Sequence, residues 1–281
     1  MILFSHFKNL QSFLNNNNAP LKKTGMVPTM GALHEGHFSL IEQCKKLTDF
    51  TVCSIFVNPL QFNNPDDFKK YPNTVEADIL ALEEHGCDAL LLPSYQEVYP
   101  DEASKNKKYD LGHLENILEG KFRPGHFQGV CKVVERLLEM VQPDVLFLGQ
   151  KDFQQCLVIK KLLSQMGQEI EIVICATLRG KSGLAMSSRN LRLSEEAKKT
   201  AALLNESLRG IKEKIDSTNF QQLKEDAIHK LETAGFKVEY LELAKAENLE
   251  LVNNYNAVGQ HVILIAAYIN EVRLIDNILI G

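Results

Sequence analysis

The chain has 281 residues, with 31 Lys and Arg against 36 Asp and Glu, a formal net charge of −5 and an apolar fraction of 44%. This balance excludes a general electrostatic grip on nucleic acid or on an anionic membrane, since both need a broad basic surface. The length allows one large or two modest domains, and no run approaches the roughly 20 apolar residues of a membrane-spanning helix.

In chain order, residues 1–18 are apolar only in patches. They lack the basic start, continuous apolar block and small-residue cleavage site of a secretory leader, so a cytoplasmic protein is expected. The Asn15–Asn18 run reads as a surface loop. From Thr24 to Ala176, short apolar runs bounded by Gly, Pro or Asp alternate with amphipathic segments. The runs Gly25–Pro28, Phe50–Phe56, Asp88–Pro93, Asp144–Leu148 and Glu171–Ala176 predict buried parallel strands. A helix follows Thr74 and ends by Gly86, and another starts near Asp152 and carries Phe153, Cys156, Leu157 and Leu163. Val130, Val133, Val134, Leu137, Leu138 and Val141 mark one helical stripe. Strand and helix alternation of this kind predicts a doubly wound α/β sheet, with its ligand crevice at the carboxyl ends of the strands.

After about residue 190 the texture changes. Ser194 caps a long helix to Ile215, Phe220–Thr233 is a second helix, and Lys237–Leu243, His261–Ile269 and Val272–Ile275 read as strands, the last two joined by a tight turn at Asn270-Glu271. A smaller α+β domain is therefore predicted behind the first. Cys44, Cys53, Cys87, Cys131, Cys156 and Cys175 form no CxxC pair and lie in apolar runs, which points to reduced, buried thiols.

Five segments could carry chemistry. In VPTMGALHEGHFSLI a strand enters a Pro/Gly turn, and His34 and His37 sit where the next helix begins. Imidazoles beside the free N–H groups of a helix start suit a phosphate, although two histidines three apart also simply decorate helices. HEGH has the wrong spacing for the zinc helix HExxH. In SIFVNPLQFNNPDDFKKYPN, Asn58 and Gln61 follow a strand end; neutral amides there orient a polar substrate, while Asn-Pro is equally a turn signal. LGQKDFQQ repeats the strand, Gly turn and helix, with Lys151 as a point charge for phosphate, Asp152 as a possible N-cap and Gln155 one turn on. TLRGKSGLAMSSRNLRL holds Arg179, Lys181, Arg189 and Arg192 and no acidic residue, a local exception to the net charge that favours an anion site over a solvated loop. RPGHFQGV offers Arg123 and His126, as readily structural as functional.

Taken in order, PTMGALHEGHFSL, SIFVNPLQF, RPGHFQGV, GQKDFQQ and MSSRN closely resemble the pantothenate synthetases, the pantoate:beta-alanine ligases of the HIGH-type nucleotidyltransferase superfamily, along almost the whole chain. The resemblance implies a Rossmann-like doubly wound parallel sheet with a smaller α+β C-terminal domain, divided as residues 1–176 and 177–281, and a homodimer. It implies ATP-dependent condensation of (R)-pantoate with beta-alanine through a pantoyl adenylate, releasing AMP and pyrophosphate. HEGH corresponds to the HIGH-type signature and MSSRN to the KMSKS-type loop. By resemblance Met30, Gly31, Ala32, Leu33, His34, Glu35, Gly36 and His37 contact ATP, with His37 as proton donor. Gly149, Gln150, Lys151, Asp152, Leu178, Met186, Ser187, Ser188 and Arg189 complete the nucleotide site; Gln61 and Gln155 hold pantoate, and Gln61 with Asn58 borders beta-alanine.

The substrate carboxylate is then its own nucleophile, and the protein has to position groups and neutralise charge. His34, His37, Lys151, Ser187, Ser188 and Arg189 are the expected charge-stabilising set, with Mg²⁺ bridging the phosphates mainly through ATP and no dedicated protein ligand. Closure of the 177–193 loop would keep water from the adenylate. At three places the chain departs from the family pattern: Gly180-Lys181-Ser182 replaces a segment with an acidic pair, Gln150 stands where Glu is common, and Asn73 replaces an Arg. The rival readings are another nucleotidyltransferase on the same fold and a catalytically silent nucleotide-binding regulator.

Overall fold

Short Val, Ile, Leu and Cys runs pack well when both faces of a strand are covered, while the segments between them offer one apolar stripe, which suits a helix lying on a sheet. The computed structural model describes residues 1–16 and 23–281, and in it six strands form a parallel sheet in the order β1-β4-β3-β2-β5-β6. They are β1 (Ile2–Phe4), β2 (Thr24–Thr29), β3 (Phe50–Ile55), β4 (Ala89–Leu91), β5 (Val145–Gly149) and β6 (Glu171–Cys175). The chain winds from β2 through β3 to β4, then crosses back to β5, which pairs with β2 at Gly25 and Val145. The switch point thus lies between β2 and β5, and the segments leaving β2 and β3 emerge at the edge where such sheets bind ligands.

The helix Val75–Glu84 follows Thr74, and Gly86 closes it in the left-handed conformation, as its sequence predicts. The valine and leucine stripe lies wholly buried on the helix His126–Val141. All six cysteines are free and buried, and burial pushes the Cys87 and Cys131 thiols up to about 12. Two local expectations need correction. β1 has no counterpart among the predicted strands, because three residues with Ile2 and Leu3 exposed leave no readable period. Asn15 and Asn16 end the helix Phe7–Asn16 instead of forming a loop, and Asn17 and Asn18 lie outside the described residues.

The chain divides into two compact units, Met1–Gly149 with Gln155–Ala176, and Gln150–Gln154 with Thr177–Gly281. The expected division at residue 176 puts Gln150–Gln154 in the first unit instead. The second unit carries an antiparallel sheet, β7 (Phe236–Lys245), β8 (His261–Ile269) and β9 (Val272–Ile280). Apolar residues of all three strands meet Leu204, Leu208, Phe220 and Leu231 in a separate core. The predicted hairpin is present: Ile269 pairs with Val272 across Asn270-Glu271, and Asn270 takes the positive φ of 52° that two-residue hairpin turns favour. Ser194 caps its helix by accepting from the Ala197 N–H at 3.1 Å. The predicted long helix is divided into Glu195–Ala201 and Leu203–Lys214, because the Ala202 N–H bonds to Lys199, three residues back, and tightens the turn. β9 runs on to Ile280, past the predicted end at Ile275.

Candidate active site

In the first unit, the segment after β2 is held by its own backbone amides. Thr29 Oγ1 donates to the Ser54 carbonyl at 2.8 Å and accepts from the Gly31 N–H at 3.2 Å. The next two N–H groups, of Ala32 and Leu33, each donate at 2.8 Å to one oxygen of Asp78, a buried carboxylate that also accepts from Thr74. Gly31 and Ala32 take consecutive positive φ values of 74° and 50°, a conformation disfavoured for alanine and sustained here by the Asp78 anchor. The turn delivers His34 as N-cap of the helix Glu35–Leu47, its Nδ1 accepting from the Gly36 N–H at 3.1 Å. His37 lies one turn along, and the two imidazole rings lie against each other with centroids 4.0 Å apart and planes tilted by 31°. Two adjacent imidazoles at a helix start form the kind of surface that suits a phosphate oxygen.

The segment after β3 carries the amides. Asn58 is fully buried, and its side chain is saturated: Oδ1 accepts from the Leu60 N–H at 3.2 Å and the Tyr99 hydroxyl at 2.9 Å, while Nδ2 donates to Gln61 Oε1 at 3.1 Å and the Gly129 carbonyl at 3.0 Å. Burial pushes the Tyr99 phenol well above its usual range, so it remains a donor to Asn58. Asn58 therefore orients Gln61. The Gln61 amide points its Nε2 at Met30 Sδ, 2.8 Å away, and because a thioether is a weak acceptor, a substrate oxygen can take that donor.

RPGHFQGV proves to be the support of this turn. His126 Nδ1 meets the Gln61 carbonyl at 2.7 Å and Nε2 meets an Arg123 Nη1 at 3.0 Å. A carbonyl only accepts and a guanidinium only donates, so the ring is neutral with its proton on Nδ1. A Cβ on Gly129 would lie 2.2 Å from the Leu60 carbonyl oxygen; only glycine lets the helix approach so closely. Gln155 is half-buried on the first turn of the helix Phe153–Met166, and Gly149 ends β5.

In the second unit, Gln150, Lys151 and Asp152 form a single 3-10 turn, with Lys151 Nζ 3.4 Å from both Asp152 oxygens. The basic segment is ordered as a hairpin-like loop: the Gly180 N–H donates to Leu184, the Met186 N–H donates to Leu178, and Arg179 bridges to Ala185. Gly180, Lys181 and Ser182, where the chain departs from the family pattern, form its exposed tip. Beyond it Ser187 caps the 3-10 turn Ser188–Arg192, its Oγ accepting from the Arg189 N–H at 3.3 Å. Among the described residues no group of three or more His, Cys, Asp or Glu could hold a metal ion.

Asp78 and Tyr99 have no signal in the sequence specific to a site, and Gly129 and His126 lie in RPGHFQGV without a role in the site assigned to them there. Each acts through a contact far along the chain, which periodicity does not register.

The family model described as pantoate-beta-alanine ligase matches residues 2–279. A pantothenate synthetase of Cytophaga hutchinsonii is 43% identical over 100% of this chain and 99% of its own length, and one of Porphyromonas gingivalis is 41% identical over 99% of each. Among solved structures, pantothenate synthetase from Thermus thermophilus matches with a TM-score of 0.90 and 36% identity over 99% of both chains. Pantoate-beta-alanine ligase from Francisella tularensis, complexed with beta-gamma ATP and beta-alanine, matches with a TM-score of 0.83 and 39% identity over 99% of this chain and 97% of that one.

Proposed function

The chain belongs to the pantoate-beta-alanine ligase family, and we propose that it condenses (R)-pantoate with beta-alanine at the expense of ATP, giving pantothenate, AMP and pyrophosphate. The observation that carries this reading is the adjoining His34 and His37 pair on a turn locked by Asp78, with the Gln61 donor held in the neighbouring segment of the same sheet edge.

In the first step a pantoate carboxylate oxygen attacks the α-phosphorus, the bond to the bridging oxygen breaks, and pyrophosphate leaves. Charge grows on the equatorial and departing oxygens; His34, His37, Lys151, Ser187, Ser188 and Arg189 stabilise it, with His37 donating a proton. Gln61 and Gln155 hold the pantoate polyol through neutral amides. In the second step the neutral amine of beta-alanine attacks the acyl carbon, AMP departs with the carbon–oxygen bond pair, and the amine proton is released. Asn58 borders this amine site through Gln61, whose amide it orients. Met30 to His37, Gly149 to Asp152, Leu178 and Met186 to Arg189 line the nucleotide. Mg²⁺ would be held mainly by phosphate oxygens of ATP, with no dedicated protein ligand. When bound it neutralises phosphate charge. The protein works as a cytoplasmic homodimer.

The test is isotope exchange between pyrophosphate and ATP. Exchange should require pantoate and proceed without beta-alanine, while AMP release requires both; exchange that waits for beta-alanine would sink the two-step order. AMP release without either substrate would favour a different nucleotide-handling role.

A further inference from the structure

β9 interrupts its own apolar pattern with Asp276 and Asn277, residue types depleted in strands, and both are buried, at 4% and 2% exposure. Strand alternation normally sends neighbouring side chains to opposite faces, so two consecutive buried polar groups need two separate sets of partners. Asp276 meets Arg179 with both oxygens, at 2.6 and 2.8 Å from the two guanidinium nitrogens, and Arg179 also donates to the Gly183 carbonyl at 3.2 Å. Asn277 donates from Nδ2 to the carbonyls of Gln150 and Lys151, each at 2.9 Å, and accepts at Oδ1 from Gln150 Nε2 at 3.1 Å. Its backbone N–H donates to Asp276 Oδ1 at 2.8 Å, tying the two sets together.

We propose that Asp276 and Asn277 are positioning residues for the nucleotide: Asn277 sets the path of the turn that carries Lys151, and Asp276 roots the loop that ends in Ser187, Ser188 and Arg189. This rests on the functional reading above, in which those side chains meet the phosphates. Neither residue touches substrate; each fixes backbone or a guanidinium so that the phosphate-binding groups start from one geometry. Gln150, a departure from the family pattern, belongs to this clamp, since its side-chain amide supplies one of the three hydrogen bonds to Asn277.

Asn277→Asp is the discriminating variant. It keeps the size of the side chain and turns two donors into an oxygen facing two carbonyl oxygens. In the full chain, calorimetric ATP affinity and the KM for ATP should each weaken by about 10- to 100-fold, the usual consequence of leaving buried polar groups unpaired, with the KM for pantoate unchanged. In a Lys151→Ala background the further loss of affinity should shrink to less than about 3-fold, because the two residues act on one contact. A folded Asn277→Asp protein with wild-type ATP affinity overturns the proposal, and so does a full additional loss on top of Lys151→Ala. If Asn277→Asp does not fold, Asn277→Ala removes the donors without adding charge and is judged by the same two measurements. Wild-type protein that releases no AMP with pantoate and beta-alanine refutes the functional reading alone; the ATP-affinity comparison still decides the clamp.

Discussion

Two residues show how differently side chains of similar sequence promise behave. His34 and His37 lie side by side where a helix exposes its first N–H groups, so His37→Ala should reduce kcat by about 10²- to 10⁴-fold in a steady-state AMP-release assay while the thermal transition stays near wild type. An unchanged kcat would remove His37 from the chemistry. Asn58 is wholly committed to protein partners, and Asn58→Ala should strand the Tyr99 hydroxyl and release the Gln61 side-chain oxygen, lowering stability by about 1–3 kcal/mol in urea unfolding as well as raising the KM for pantoate. Sequence alone proposes both residues through motif and strand-end position. It does not distinguish an amide that faces substrate from one that is saturated, because that depends on Tyr99 and Gly129, dozens of positions away.

Among elements, the 3-10 turn that carries Gln61 is tightly specified. It is pressed against the helix His126–Val141 at Gly129 and tied to it by His126. Gly129→Ala would force a methyl into the Leu60 carbonyl, an overpacking worth about 1–3 kcal/mol, and should show as a lowered Tm together with a raised KM for pantoate and little change in ATP affinity. The helix itself is legible from its valine and leucine spacing, and the hairpin at Asn270-Glu271 from turn chemistry. The predicted end of β9 at Ile275 falls short for a physical reason: Asp-Asn is a turn signal in local propensity, and only Arg179 and the Gln150 turn, brought in by tertiary folding, make it tolerable inside a strand.

At the level of the whole molecule, two units with separate cores share one chain. The strand-rich first part and the change of texture near residue 190 are legible, since apolar periodicity switches there; the assignment of Gln150–Gln154 to the second unit is not, because its ties are to β9. No helix among the described residues is long and apolar enough to cross a membrane. The net charge of −5 coexists with a basic segment from Arg179 to Arg192; under the proposed assignment of that segment to ATP and of Gln61 and Gln155 to pantoate, ATP binding should weaken as salt screens the cations, while pantoate binding loses less. Titrating KM for both substrates against KCl checks this. Sedimentation at micromolar concentration should report twice the chain mass.

The buried thiols have a practical corollary. Cys53, Cys87 and Cys131 are held protonated by the apolar interior far above neutral pH, and every cysteine is shielded by packing, so the native surface offers maleimide reagents almost nothing to alkylate at pH 7. The exposed hairpin tip at Lys181 is then a place where a single Lys181→Cys substitution would accept one fluorophore against a silent background. A dye there turns the resting position of the 177–193 loop, and its response to ATP, into a direct optical signal.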